Sequence, residues 1–97
     1  MRYEIMLAPE AAHDLKRLNV HVRSTVRDAI ELHLRHQPIR TSKSRIKRLR
    51  GLSRPQFRLR VDEVRVFHDV HGKIVQVLAV VLKSEADTWL AEVGERA

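Results

Sequence analysis

The sequence predicts one α+β domain, and three observations carry that prediction. Ninety-seven residues are too few to bury two separate cores. Apolar residues recur at three- and four-residue steps in the first third of the chain and at two-residue steps after residue 56, so a helical part precedes a sheet. With 43% hydrophobic and 32% charged residues, and only three glycines and three prolines, the composition is that of a folded globular chain.

The elements follow in order. Tyr3, Ile5 and Leu7 alternate with Glu4 and Met6, the period of a strand with one face more buried than the other. Pro9 suits the first turn of a helix, Glu10 suits its positive end, and Ala12, Leu15 and Leu18 continue it over about Pro9–Leu18. Asn19 breaks that run. From Val22, the positions Val26, Ala29, Ile30 and Leu34 keep helical spacing until Gln37-Pro38 ends it, giving a helical hairpin. Pro38 to Arg50 carries Ser, Thr, Lys and Arg with little apolar pattern and reads as an exposed connection.

Phe57, Leu59 and Val61 then alternate with Arg58 and Arg60. After the polar break Asp62-Glu63, Val64, Val66, His68 and Val70 alternate with Arg65, Phe67 and Asp69. His71-Gly72 reads as a tight turn into Lys73–Leu82, a strand apolar on both faces as expected inside a sheet. Ser84 reads as the N-cap of a last helix formed by Ala86, Leu90 and Val93 and carrying Trp89. The expected architecture is four main antiparallel strands with the helical hairpin on one face. Its expected core is Leu15, Leu18, Val26, Ile30, Val64, Val66, Val77 and Val80.

Composition also bounds function. Without cysteine there is no disulfide, thiolate zinc site or thiol nucleophile, and a reducing cytoplasm is the default location. No apolar run approaches the roughly 20 residues of a membrane-spanning helix, and the start has no apolar stretch of signal-peptide type. Net charge is +7 and unevenly spread: between His36 and Arg65 stand ten of the 19 Lys and Arg but only two of the 12 acids. Such a concentration opposes compaction and points to a polyanionic partner, nucleic acid first.

The order of elements resembles the RelE/ParE superfamily of bacterial toxins from toxin-antitoxin pairs. Arg48-Leu49-Arg50-Gly51-Leu52 resembles the K-L-R-G segment before that family's second strand. Phe57-Arg58-Leu59-Arg60-Val61 with Val64-Arg65-Val66-Phe67 resembles its Y-R-L-R-V and Y-R-V-Y hairpin. The resemblance covers nearly the whole chain. It implies a cytoplasmic toxin held by a cognate antitoxin, acting without a cofactor either as a ribosome-dependent mRNA endoribonuclease in the decoding site or, in the other branch, as a DNA gyrase inhibitor. A non-catalytic basic nucleic-acid-binding module stands as a further alternative.

By the same resemblance, Arg58 and Arg60 fall where the RNA-cleaving branch has basic residues on its second strand, Arg65 on its third-strand arginine, and Lys83 where that branch usually has another arginine; these four are the candidate catalytic residues. Trp89 falls near a tyrosine of several cleaving members, and here it has no ionisable hydroxyl. Lys43, Arg45, Lys47, Arg48, Arg50 and Trp89 are the candidate RNA contacts, although a lone Trp on a short terminal helix is more often a core anchor. Strand periodicity puts Arg58 and Arg60 on one face, and Arg65 on the neighbouring strand can project from the same side, so that the three could converge on a phosphate. Arginine does not release its proton in the accessible range, so Lys83 is the first candidate for proton transfer, a lysine among cations being the easier to deprotonate. His68, three residues from Arg65 on the same strand, is expected on the opposite face. His33 and His36 lack a convincing third metal ligand, and Asp62-Glu63 reads as a turn rather than a catalytic pair. An acidic, helical antitoxin segment is expected to pair with Arg45, Lys47, Arg58 or Arg60.

Overall fold

A computed structural model describes residues 2–97. Its elements are β1 (Glu4–Leu7), α1 (Pro9–Arg17), α2 (Val20–Leu34), β2 (Ile46–Arg48), β3 (Leu52–Arg54), β4 (Phe57–Val61), β5 (Val64–His71), β6 (Ile74–Leu82), a 3-10 turn (Lys83–Glu85), α3 (Ala86–Val93) and β7 (Glu95–Arg96). Five strands form one sheet in the order β1-β6-β5-β4-β2, and β3 pairs with β7 in a second, small sheet. No helix among the described residues is long and apolar enough to cross a membrane.

The helical hairpin is built by local chemistry. Asn19 caps α2, its side chain accepting from the Val22 amide at 2.9 Å, as a short carbonyl at this position should. Arg23 then donates to the carbonyls of Leu15, Lys16 and Leu18, satisfying acceptors that the end of α1 leaves open. Asn19→Ala is expected to cost about 1 kcal/mol, read as a lower urea midpoint with unchanged slope; an unchanged midpoint would show that Arg23 alone fixes the hairpin.

Leu15, Val26, Ile30 and Leu34 from the hairpin pack on Phe57, Leu59, Val61, Val64, Val66, Val75, Val77 and Val80 from the sheet, with Leu18 packed at the margin. The expected core is therefore the core found. A smaller cluster on the other sheet face joins Phe67 and Ala79 to Ala86, with Leu49, Val81, Trp89 and Leu90 around it. Thus α3 covers one part of that face and leaves the rest to the strands β2, β4 and β5.

Four expectations are corrected. The sheet is mixed, because β1 runs parallel to β6: the helical hairpin returns the chain across the sheet, so β1 joins the meander from outside it. The supposed exposed connection contains a fifth strand, β2, whose Ile46 is buried opposite Leu59; three residues are too short to show a period. Ser84 lies inside the 3-10 turn, and the residue before α3 is Glu85, without a side-chain cap. The turn between β5 and β6 is centred on Gly72 and Lys73, since His71 pairs with Ile74, and Gly72 takes a positive φ of 60° that suits a residue without Cβ.

Candidate functional site

Register decides which charges meet. Arg60 lies directly opposite Arg65, Arg58 opposite Phe67, and Lys47 opposite Arg58. Directly opposed residues share a face of the sheet, so Lys47, Arg58, Arg60 and Arg65 lie on the face that α3 covers only in part. Strand periodicity leads to the same shared face for Arg58 and Arg60.

The three arginines differ in surroundings. Arg60 is exposed and Arg58 half-buried, whereas Arg65 is only 5% exposed. Arg65 Nη1 donates to the carbonyls of Asp62 at 2.8 Å and Val64 at 3.1 Å. The Asp62 carbonyl belongs to the tight β4–β5 turn, where Asp62 takes a φ of 50°. Burial first, and then repulsion from Arg58 and Arg60, lowers the Arg65 pKa, with Glu63 acting in the other direction. The guanidinium stays charged nonetheless. Nε of Arg58 is buried with no hydrogen-bond partner, a desolvation cost left uncompensated. Like charges opposed across strands destabilise a sheet, so a bound anion would relieve this face.

Other candidates fall elsewhere. Lys83 is exposed and opens the 3-10 turn at the end of the sheet; its backbone amide donates to the Glu63 carbonyl at 2.7 Å. The charges acting on Arg65 are those of Arg58, Arg60 and Glu63. Lys43 and Arg50 are exposed in the segments flanking β2, as is Arg45, whose Nη1 donates to the Arg60 carbonyl at 3.3 Å.

Two candidate RNA contacts, Arg48 and Trp89, each lean on an aromatic ring of the fold. Arg48 pairs with Phe57, on the opposite face from Lys47, and its guanidinium carbon sits 5.1 Å from the Phe57 ring centroid. The pleat splits what reads in sequence as one basic run. Trp89 stacks on Phe67 with centroids 4.7 Å apart and planes 13° from parallel, so one ring face anchors α3 to the sheet. Arg54, though part of the basic window, faces the buried Asp69 at 3.4 Å.

His68 is fully buried on the face toward the helical hairpin. It stacks on Phe57, and its Nε2 lies 2.9 Å from the Pro38 carbonyl. Asp62 and Glu63 are turn residues. Among the described residues no group of three or more His, Asp or Glu is placed to hold a metal. Sequence reasoning missed a second basic cleft, where His33 at the end of α2 meets Arg40 and Arg45; nothing in the spacing of these residues announces that contact.

Searches of protein-family profiles and of curated proteins give no match. Solved structures do match in fold. The toxin-antitoxin complex RelBE2 from Mycobacterium tuberculosis aligns with a TM-score of 0.70 at 22% identity, covering 84% of this chain and 99% of that one. A RelB-RelE antitoxin-toxin complex from Methanococcus jannaschii aligns at 0.67 and 21% identity, covering 87% and 96%. The E. coli toxin RelE in the free state, a double arginine-to-alanine mutant, aligns at 0.68 and 18% identity, covering 96% and 99%. The chain has the RelE-like α+β fold.

Proposed function

We propose that this chain is the toxin of a toxin-antitoxin pair and that it inhibits translation by cleaving mRNA in the ribosomal decoding site. The observation that carries this reading is the opposed pair Arg60 and Arg65 with Arg58 and Lys47 on the same face. Cleavage forms a bond from the ribose 2′ oxygen to phosphorus and breaks the bond from phosphorus to the 5′ oxygen. The 2′ hydroxyl loses its proton, the 5′ oxygen gains one, and a doubly charged phosphorane lies between. Arg58, Arg60 and Arg65 suit the stabilisation of that charge, a dominant contribution in sites of this kind. In this reading Lys83 carries the proton, and the ribosome supplies the in-line geometry that an open, flat face does not impose.

The fold neighbours include complexes of a toxin with its antitoxin, and the same arginines offer an acidic protein segment its pairing surface. The antitoxin is accordingly the second partner in this reading. Apolar anchors would supply affinity, and acidic side chains would speed encounter and pair with Arg45, Lys47, Arg58 or Arg60.

One observation favours gyrase inhibition as a second reading: of the two histidines on β5, His68 faces away from the arginines and His71 ends the strand, six residues from Arg65. The two readings predict different first events. Upon induction from a tight promoter, incorporation of labelled amino acids is expected to fall before plasmid supercoiling changes. Loss of supercoiling first, with translation intact, would replace the ribonuclease by the gyrase inhibitor.

A further inference from the structure

Behind β2 the chain forms a second cationic depression. An open cleft of about 290 Å³ lies between the end of α2 and the segment leading into β2, lined by His33, Gln37, Arg40, Ser42 and Arg45 among others and floored by the buried Ile46. It has two guanidinium groups, an imidazole, an amide and a hydroxyl, and no carboxylate.

The cleft is held by its own hydrogen bonds. The Arg45 amide donates to Ser42 Oγ at 3.0 Å and the Ser42 amide to the Ile46 carbonyl at 2.9 Å. Arg40 Nη1 donates to Gln37 Oε1 at 3.3 Å, which holds one guanidinium against the wall and leaves its other donors open. Burial, and secondly the charge of Arg45, lowers the His33 pKa; the neutral imidazole still offers one N–H. The volume is at the lower end of small-molecule pockets and has room for a phosphate group.

Arg45 joins this cleft to the sheet face. The Arg60 amide donates to the Arg45 carbonyl at 2.8 Å, and Arg45 Nη1 donates to the Arg60 carbonyl. A strand whose phosphate rests on Arg60 therefore meets Arg45 next as it rounds the β2 edge, and then His33 and Arg40.

We propose that the His33–Arg40–Arg45 cleft is a second phosphate subsite, which holds a backbone phosphate of an RNA strand already bound across Arg58 and Arg60. It rests on the RNA reading of the sheet face. The subsite lengthens the footprint on RNA without touching the scissile bond.

The test uses the full-length chain with 2′-O-methyl uridine oligomers, which cannot be cleaved, read by fluorescence anisotropy over a salt series. His33→Gln and Arg40→Gln change surface groups, and circular dichroism verifies folding. Each is expected to weaken an octamer about fivefold at low salt and the double variant to lower its salt slope by about one, while a dimer binds unchanged. Arg60→Ala, in parallel, is expected to weaken both lengths. If Arg60→Ala weakens binding but the cleft variants leave the octamer and its salt slope unchanged, the subsite is overturned and the sheet-face reading stands. If the unaltered chain binds neither length, or Arg60→Ala has no effect on either, both fail. Cleft variants that bind the octamer normally but lose affinity for an acidic partner protein overturn the phosphate subsite in favour of a protein contact.

Discussion

Arg60→Ala is expected to abolish growth inhibition while leaving thermal unfolding unchanged, and Arg65→Glu to lose both activity and stability. Arg60 is exposed on β4, and an exposed strand arginine adds little to stability in high dielectric. In the ribonuclease reading its guanidinium faces the developing phosphorane, where removal of one such donor costs on the order of a hundredfold in rate. Arg65 has a double task. Its position on an exposed-looking strand implies that charge reversal spares the fold, but the side chain is 5% exposed and donates to two carbonyls of the hairpin turn. A glutamate there faces those same carbonyl oxygens with no proton to give. The expected destabilisation is about 3 kcal/mol, a large share of a stability of roughly 5–15 kcal/mol. Growth assays, translation in a cell-free extract and thermal melts separate the two variants. Full toxicity of a folded Arg60→Ala would remove the sheet face from the mechanism.

The contrast between these arginines shows what the sequence makes legible. Alternation along Phe57–Val61 and Val64–Val70 is enough to place Arg58 and Arg60 together and His68 on the face opposite Arg65, because parity is a local property of extended chain. Burial is not local. Arg65 is enclosed by its own turn, a feature that no period records. Val77 and Val80 are three residues apart, yet both lie in the core beneath the hairpin. Strict alternation would separate them, and the irregularity in the β5–β6 register between Phe67 and His68 reconciles them. The amide of Val80, just past that irregularity, donates to Asp14 Oδ2 of α1 at 2.9 Å. An apolar run with side chains buried on both faces hides such a shift.

Basic residues are the harder case, since charge count carries no direction. Lys47 and Arg48 are adjacent in sequence and fall on opposite faces, one beside Arg58 and the other over the Phe57 ring. Arg54 belongs to the same basic window and is engaged by Asp69. The window therefore overstates the cationic surface of the sheet face, and at the cleft His33, which precedes the window, joins Arg40 and Arg45 from within it.

Between neutrality and about pH 4, the chain is expected to lose about 3 kcal/mol of stability that His68→Gln does not lose. His68 lies under the helical hairpin, stacked on Phe57 at a centroid distance of 5.3 Å. With Nε2–H donating to the Pro38 carbonyl, Nδ1 is left buried without a partner, which the neutral ring tolerates better than a charged one. Burial pushes the His68 pKa down to about 4, with the Pro38 carbonyl opposing the shift. The unfolded chain protonates this imidazole near its ordinary 6.5, so between 6.5 and about 4 the unfolded state binds the extra proton and stability falls with pH. Above 6.5 both states are neutral and the contribution is constant; below about 4 the loss is complete. Glutamine keeps an N–H within the chemistry Pro38 requires and removes the titration. Urea unfolding of both proteins across this range, at constant salt, isolates the histidine from carboxylates common to both. Parallel pH profiles would show that His68 titrates normally and that its enclosure is looser than described. His68 faces away from the arginines, so activity of the variant is expected within a few-fold of the parent. A folded variant without activity would transfer the missing proton carrier from Lys83 to His68.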